Sequence, residues 1–148
     1  MKIDQTKIVS FVLSFSVTTI FLVYFLKLPY FITGDKNIVN EYYGENFSKF
    51  VPLDMFFIAI YFLIAMYLMK KFKTKKFTER LLTVVITTAV ITGGYCYYFN
   101  SKPKTDKFFS RWFHSVKYTS VVYDVLLLGF NYYLFEFLLK FPKDKVIV

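Results

Sequence analysis

The chain has 148 residues, enough for one domain, and 56% of them are hydrophobic, above the roughly 45–50% of soluble domains. Aromatic residues make up 23%, which a single soluble core of this size could not hide, whereas a lipid-embedded protein need not hide them. The net charge of +9 raises nucleic acid as a partner, but the basic residues fall between long apolar runs. Anionic lipid headgroups are therefore the expected partner, and nucleic acid is not.

Lysine outnumbers arginine 17 to 2, a bias typical of an AT-rich coding sequence. Cys96 is the only cysteine and His114 the only histidine. An intrachain disulfide is excluded, and so is a zinc site built from His and Cys within one chain. No metal and no cofactor is expected.

Four apolar runs dominate the chain, at about 8–26, 53–69, 81–99 and 118–139. Nineteen helical residues cover about 28 Å, close to the roughly 30 Å of bilayer hydrocarbon. The expected fold is all-α, a single-domain integral membrane four-helix bundle. Pro29, Pro52, Pro103 and Pro142 all lie outside the runs, as a residue that removes a helical hydrogen bond should. The first run is longer than a signal-peptide core and lacks a small-residue cleavage site, so it reads as a signal-anchor helix.

Span one carries Ser10, Ser14 and Thr18 at intervals of four, and span three carries Thr83, Thr87, Thr88 and Thr92 with Ala89 and Gly93. Small and hydroxyl residues let helices approach closely, so these two spans are expected to touch. Residues 30–50 form the only sizeable loop, rich in Tyr, Phe and acidic residues. It is expected to lie along the headgroup region. Within it, Asn46-Phe47-Ser48 is an N-glycosylation acceptor triplet, too close to span two to be a good one.

Orientation follows from the basic residues. Lys70, Lys71, Lys73, Lys75, Lys76 and Arg80, with Lys2, Lys7, Lys140, Lys143 and Lys145 at the termini, put eleven on one side. Lys27, Lys36, Lys49, Lys102, Lys104, Lys107 and Arg111 put seven on the other. The positive-inside rule therefore predicts both termini in the cytoplasm.

Span four carries the chemistry. Lys117, Asp124 and Asn131 recur every seven residues, which stacks them on one helical face, with His114 and Ser120 near its outer end. A carboxylate at the depth of Asp124 must face the bundle and find a partner. Lys117 is the expected partner, with Lys27 and Arg111 as alternatives, and Asp54 at the outer end of span two lies at comparable depth. Asp124 then centres either an ion- or proton-handling site or a helix-fixing ion pair. Glu136 is within reach of Lys140 on the next turn, an interfacial pair. Thr92-Gly93-Gly94-Tyr95 has the look of a potassium-channel filter, but it sits inside a complete span with no pore loop. Phe108-Phe109-Ser110-Arg111-Trp112-Phe113 reads as an interfacial aromatic anchor.

Three segments, Pro52-Leu53-Asp54, Phe109-Ser110-Arg111-Trp112-Phe113 and Val122-Tyr123-Asp124-Val125, resemble those of small multi-span membrane proteins encoded by large DNA viruses of algae and protists. The resemblance covers roughly residues 52–140. It implies a virion or infected-host membrane and carries no activity with it.

The sparse chemistry points to a non-enzymatic membrane protein, structural or assembly-related, and self-association into a homo-oligomer is expected. The alternative is a small proton- or ion-coupled transporter or channel working through Asp124, with Lys117, Asn131 and Asp54. An enzyme would need converging groups from Asp54, Asp124, His114 and Lys117, and the reading leans away from one.

Overall fold

The computed structural model describes residues 3–141, and these are helical almost throughout, with no strand among them. Lys2, Pro142, Lys143 and Lys145 lie outside the described residues.

Four helices are long and apolar enough to cross a membrane. The first, α1, starts after Asp4, whose carboxylate accepts the amide of Lys7 at 2.9 Å and so satisfies one free N–H of the first turn. It runs Gln5–Thr18 and widens into a π-helical stretch, Thr19–Phe25, giving one rod of 21 residues. Lys27 in the left-handed region ends it. The other three are α4 (Phe47–Lys71), α5 (Phe77–Asn100) and α7 (Thr119–Lys140). Glu79 opens α5 by accepting the amides of Lys75 and Lys76 at 3.1 and 3.4 Å.

The rods alternate in direction. The end that holds residues 26–46 and 101–118 is called here the long-loop end, and the other, with residues 72–76, the short-loop end. α7 is the hub: it packs along α5 and along α1, while α4 packs on α5. The expected pairing of spans one and three is therefore corrected. Ser10, Ser14 and Thr18 are buried, as are Thr87, Thr88 and Thr92, but α1 and α5 turn chiefly to α7. Gly93 takes no part in close packing, since a Cβ there would meet nothing within 4 Å. The hydroxyl stripes, not the glycine, form the contacts.

Much of each rod's surface faces outward and is apolar, with Val90 68% and Ile20 63% exposed. In water such a surface would be costly, and against lipid it costs nothing.

The loop expected at 30–50 is folded structure. It forms α2 (Leu28–Thr33), α3 (Lys36–Asn40) and a π-helical turn, Glu41–Glu45. Gly34, at φ +73°, supplies the left-handed residue that closes α2. Asp35 caps α3 by accepting the amide of Ile38 at 3.2 Å. Ile38, Val39, Tyr42 and Tyr43 are buried, so the segment is drawn onto the bundle by its apolar side chains. α4 also begins earlier than expected, and Pro52 lies inside it. Its missing N–H leaves the Ser48 carbonyl without a helical donor. Ser48 is exposed.

The 108–116 segment is likewise more than an anchor. It forms α6 (Phe108–Val116), which buries Ser110, Trp112, Phe113 and Val116 against the bundle. α6 and α7 are separated by Lys117, at φ 49°, ψ −135°. No α-helix passes through that conformation, so the seven-residue stack of Lys117, Asp124 and Asn131 is broken at its first member.

Candidate functional site

A cavity of about 180 Å³ lies toward the long-loop end, between α4, α5, α6, α7 and the Glu41–Glu45 turn. Two carboxylates, Asp54 from α4 and Asp124 from α7, line it. Each lies several residues inside its helix, about 7–11 Å from the helix start at 1.5 Å per residue.

Asp54 is held by two phenols. Tyr42 donates to its Oδ1 in a short hydrogen bond, and Tyr43 donates to its Oδ2 at 2.9 Å. The Tyr43 hydroxyl also lies 2.7 Å from that of Tyr123. Because Tyr43 spends its proton on Asp54, Tyr123 is the donor in that contact. Tyr24, from the π-helical stretch that continues α1, donates to the Tyr43 carbonyl at 2.8 Å and fixes the turn from behind. Burial, and after it the Asp54 charge, push the Tyr42 and Tyr43 phenols well above the ordinary tyrosine value, so both remain protonated donors.

Asp124 is held differently. Thr92 of α5 donates to its Oδ2 at 2.6 Å, and the Thr92 oxygen lies 3.0 Å from the Tyr61 hydroxyl. Thr92 has one proton and gives it to the carboxylate, so Tyr61 must donate to Thr92. Two parallel relays result, Tyr123 to Tyr43 to Asp54 and Tyr61 to Thr92 to Asp124. The second oxygen of Asp124 accepts no hydrogen bond among the described residues.

The expected ion partner of Asp124 is not there. Lys117 is exposed at the helix break, and its backbone carbonyl accepts the Ser120 hydroxyl at 2.7 Å. Lys27 is exposed. Arg111 is committed to Glu41 by two hydrogen bonds, 2.7 and 2.6 Å. Among the described residues, no ion pair includes Asp54 or Asp124.

The other sequence candidates lie apart. His114 faces two backbone carbonyls, of Ser110 at 2.7 Å and Lys102 at 3.0 Å, and does not line the cavity. Asn131 is fully buried one step further along α7, and neither its amide nitrogen nor its oxygen has a partner among the described residues. Thr18 and Thr87 share that condition at their hydroxyls. Asn46 gives its side-chain amide to the Glu41 carbonyl at 2.9 Å, bracing the joint before α4. Glu136 does meet Lys140, at 3.8 Å, but Arg80 binds it more closely through Nε and Nη2, and Tyr132 donates to it at 2.5 Å. No group of three or more His, Cys, Asp or Glu that could hold a metal occurs among the described residues.

Sequence reasoning singled out Asp54 and Asp124 but missed their holders. Thr92 and Tyr95 lie inside the filter-like tetrapeptide; there, in a continuous α5, they sit three residues apart, Tyr95 lining the cavity and Thr92 bonded to Asp124. The adjacent Tyr42 and Tyr43 had no periodic signal, because they belong to a turn whose position the bundle decides.

Compared with known proteins, the chain matches no family model, no curated protein and no solved structure.

Proposed function

We propose that this chain is a multi-pass membrane protein that takes up a cation between Asp54 and Asp124, as a small proton- or ion-coupled transporter or channel would. The single observation behind this is two half-buried carboxylates lining one cavity, with no basic side chain ion-paired to either among the described residues. Uncompensated carboxylates at membrane depth are expensive, and those that persist mark ion or proton sites. A purely structural role leaves this pairing without a use. The ordered donors around each carboxylate hold its position while keeping an oxygen of Asp124 free for a guest.

The same reading sets both termini and the short-loop lysines in the cytoplasm and the cavity toward the outer leaflet. With Lys117 outside α7, the basic count is eleven against eight, still in favour of that orientation. A viral or infected-host membrane is the location that the resemblance in α4, α6 and α7 suggests.

The test is flux in proteoliposomes of the purified chain, read with an internal pH dye and with cation-selective electrodes. The proposal expects an imposed gradient to drive a flux that Asp124→Asn and Asp54→Asn each abolish while helix content is retained. Flux no greater than in empty vesicles, or indifferent to both changes, overturns it. Orientation is tested by a membrane-impermeant maleimide on Cys96→Ser protein carrying Lys73→Cys or Lys104→Cys. Only the second should label from outside intact cells.

A further inference from the structure

The cavity has more to say about what enters it. Its size separates two kinds of guest. At about 180 Å³ it exceeds the roughly 150 Å³ of an engineered protein cavity that admits benzene. A proton or a bare metal ion would leave most of that space to be filled otherwise, and the metal-type clusters that would grip an ion are lacking among the described residues.

The walls separate them again. Apart from the two carboxylates, the lining is aromatic or aliphatic, with Leu127 and Leu128 completing it one turn beyond Asp124. Several rings are already used on each other: Tyr42 stacks on Phe50 at 4.5 Å, and Phe99 lies flat on Phe113 at 5.3 Å. Tyr61 and Tyr95 are different. Both line the cavity, and neither has an aromatic or cationic neighbour at ring-contact distance among the described residues. The Tyr61 ring is also fixed, since its hydroxyl is tied to Thr92 and through it to Asp124. Uncommitted tyrosine faces beside a carboxylate oxygen that lacks a donor form the environment that recognises an ammonium group with an apolar coat.

We infer that the cavity binds a small organic ammonium ion, with its charge against Asp124 and Asp54 and its methyl or methylene groups against Tyr61 and Tyr95. The inference rests on the cation-site reading above and adds the chemical class of the cation. Asp124 and Asp54 supply the charge, the tyrosine faces supply attraction that a hydrated sodium ion cannot exploit, and Leu127 and Leu128 bound the depth.

Trp112 is the only tryptophan of the chain and lines this cavity, so its fluorescence reports occupancy directly. The purified protein in nanodiscs is titrated with choline chloride and tetramethylammonium chloride, with sodium and potassium chloride at equal ionic strength, and with 3,3-dimethylbutan-1-ol, the uncharged carbon analogue of choline. The expected result is a saturable change with the two organic ammonium salts only. Asp124→Asn should weaken it at least tenfold. Tyr95→Leu should weaken it about five- to tenfold, the loss of one cation–π contact. Tyr95 is 47% exposed and makes no hydrogen bond among the described residues, so this variant keeps the test decisive if the aspartate variant does not fold. Equal binding of the uncharged alcohol overturns the inference. A carboxylate-dependent response to sodium or potassium without one to choline overturns it while leaving the cation site standing. No response to any salt, in protein whose helix content is intact, overturns both.

Discussion

Thr92 on α5 donates to the Asp124 carboxylate on α7 at 2.6 Å, and no lysine, arginine or histidine shares that carboxylate among the described residues. A hydroxyl, not a charge, holds the acid. The bond also joins the two helices with the most extensive mutual packing in the bundle. Thr92→Val keeps the shape and removes the donor. It should lower stability by about 1–2 kcal/mol, the range for a hydrogen bond to a charged group in a membrane bundle. The cost should shrink when Asp124 is already Asn. Unfolding curves of the two singles and the double in mixed micelles supply that coupling, and additive losses would show that the bond carries no energy of its own.

Tyr43 serves two groups, donating to Asp54 at 2.9 Å and accepting from Tyr123 at 2.7 Å. Tyr43→Phe leaves Asp54 with Tyr42 alone and strands the buried Tyr123 hydroxyl, whereas Tyr123→Phe removes only an outer donor. The first should cost about 1–3 kcal/mol and the second less. Equal losses in the same unfolding assay would contradict the direction assigned to this relay.

Arg80 and Glu136 join α5 to α7 at the short-loop end, and the Glu136 side chain is only 10% exposed. Arg80→Leu leaves that carboxylate with Tyr132 and, at 3.8 Å, Lys140. Breaking a buried pair on one side costs about 3 kcal/mol or more. The double change Arg80→Leu with Glu136→Leu should recover most of it, because an apolar pair strands no charge. A double variant as unstable as the single would rule out this account.

Glu41 is held below the ordinary glutamate value by its hydrogen bonds and charge pairing with Arg111, and Asp35 below the ordinary aspartate value chiefly by the hydroxyl of Ser115. With the folded values depressed, the unfolded chain takes up protons first as pH falls. The stability from these two acids is therefore complete above the ordinary carboxylate range and drains away as pH drops through it toward the folded values. Both groups are partly exposed, so the effect is small and salt should reduce it further. Thermal melts from pH 7 to pH 3 should show a shallower acid limb for Glu41→Gln than for the parent. An identical limb would mean that the pair is silent.

Asn131 is fully buried and neither side-chain polar atom has a partner among the described residues. Orphaned amide groups cost about 1–3 kcal/mol each, so Asn131→Leu, with the same branched skeleton but larger end groups, should raise stability by about 1 kcal/mol. A loss of stability in the same assay would reveal that the amide is bonded after all.

The candidate site was half legible. Asp54 and Asp124 announce themselves because an acid within an apolar run has one interpretation, a group facing inward. Their holders do not. Lys117 looked like the partner through its seven-residue spacing, but spacing counts only within one helix, and the backbone turns at Lys117 before α7 starts at Thr119. Glu41 takes Arg111 across 70 residues of chain, a pairing that no local pattern encodes.

By themselves, the residues determined four helical runs long and apolar enough to cross a membrane, where only a helix satisfies its own backbone. That preference is local to each run, so it can be read in order along the chain. Tertiary structure alone decided which helix became the hub, that residues 28–45 fold inward, and that Tyr42, Tyr43, Tyr61 and Thr92 meet the two acids. These are contacts between distant segments, set by which surfaces fit once the helices stand side by side. No property of any one segment contains that choice.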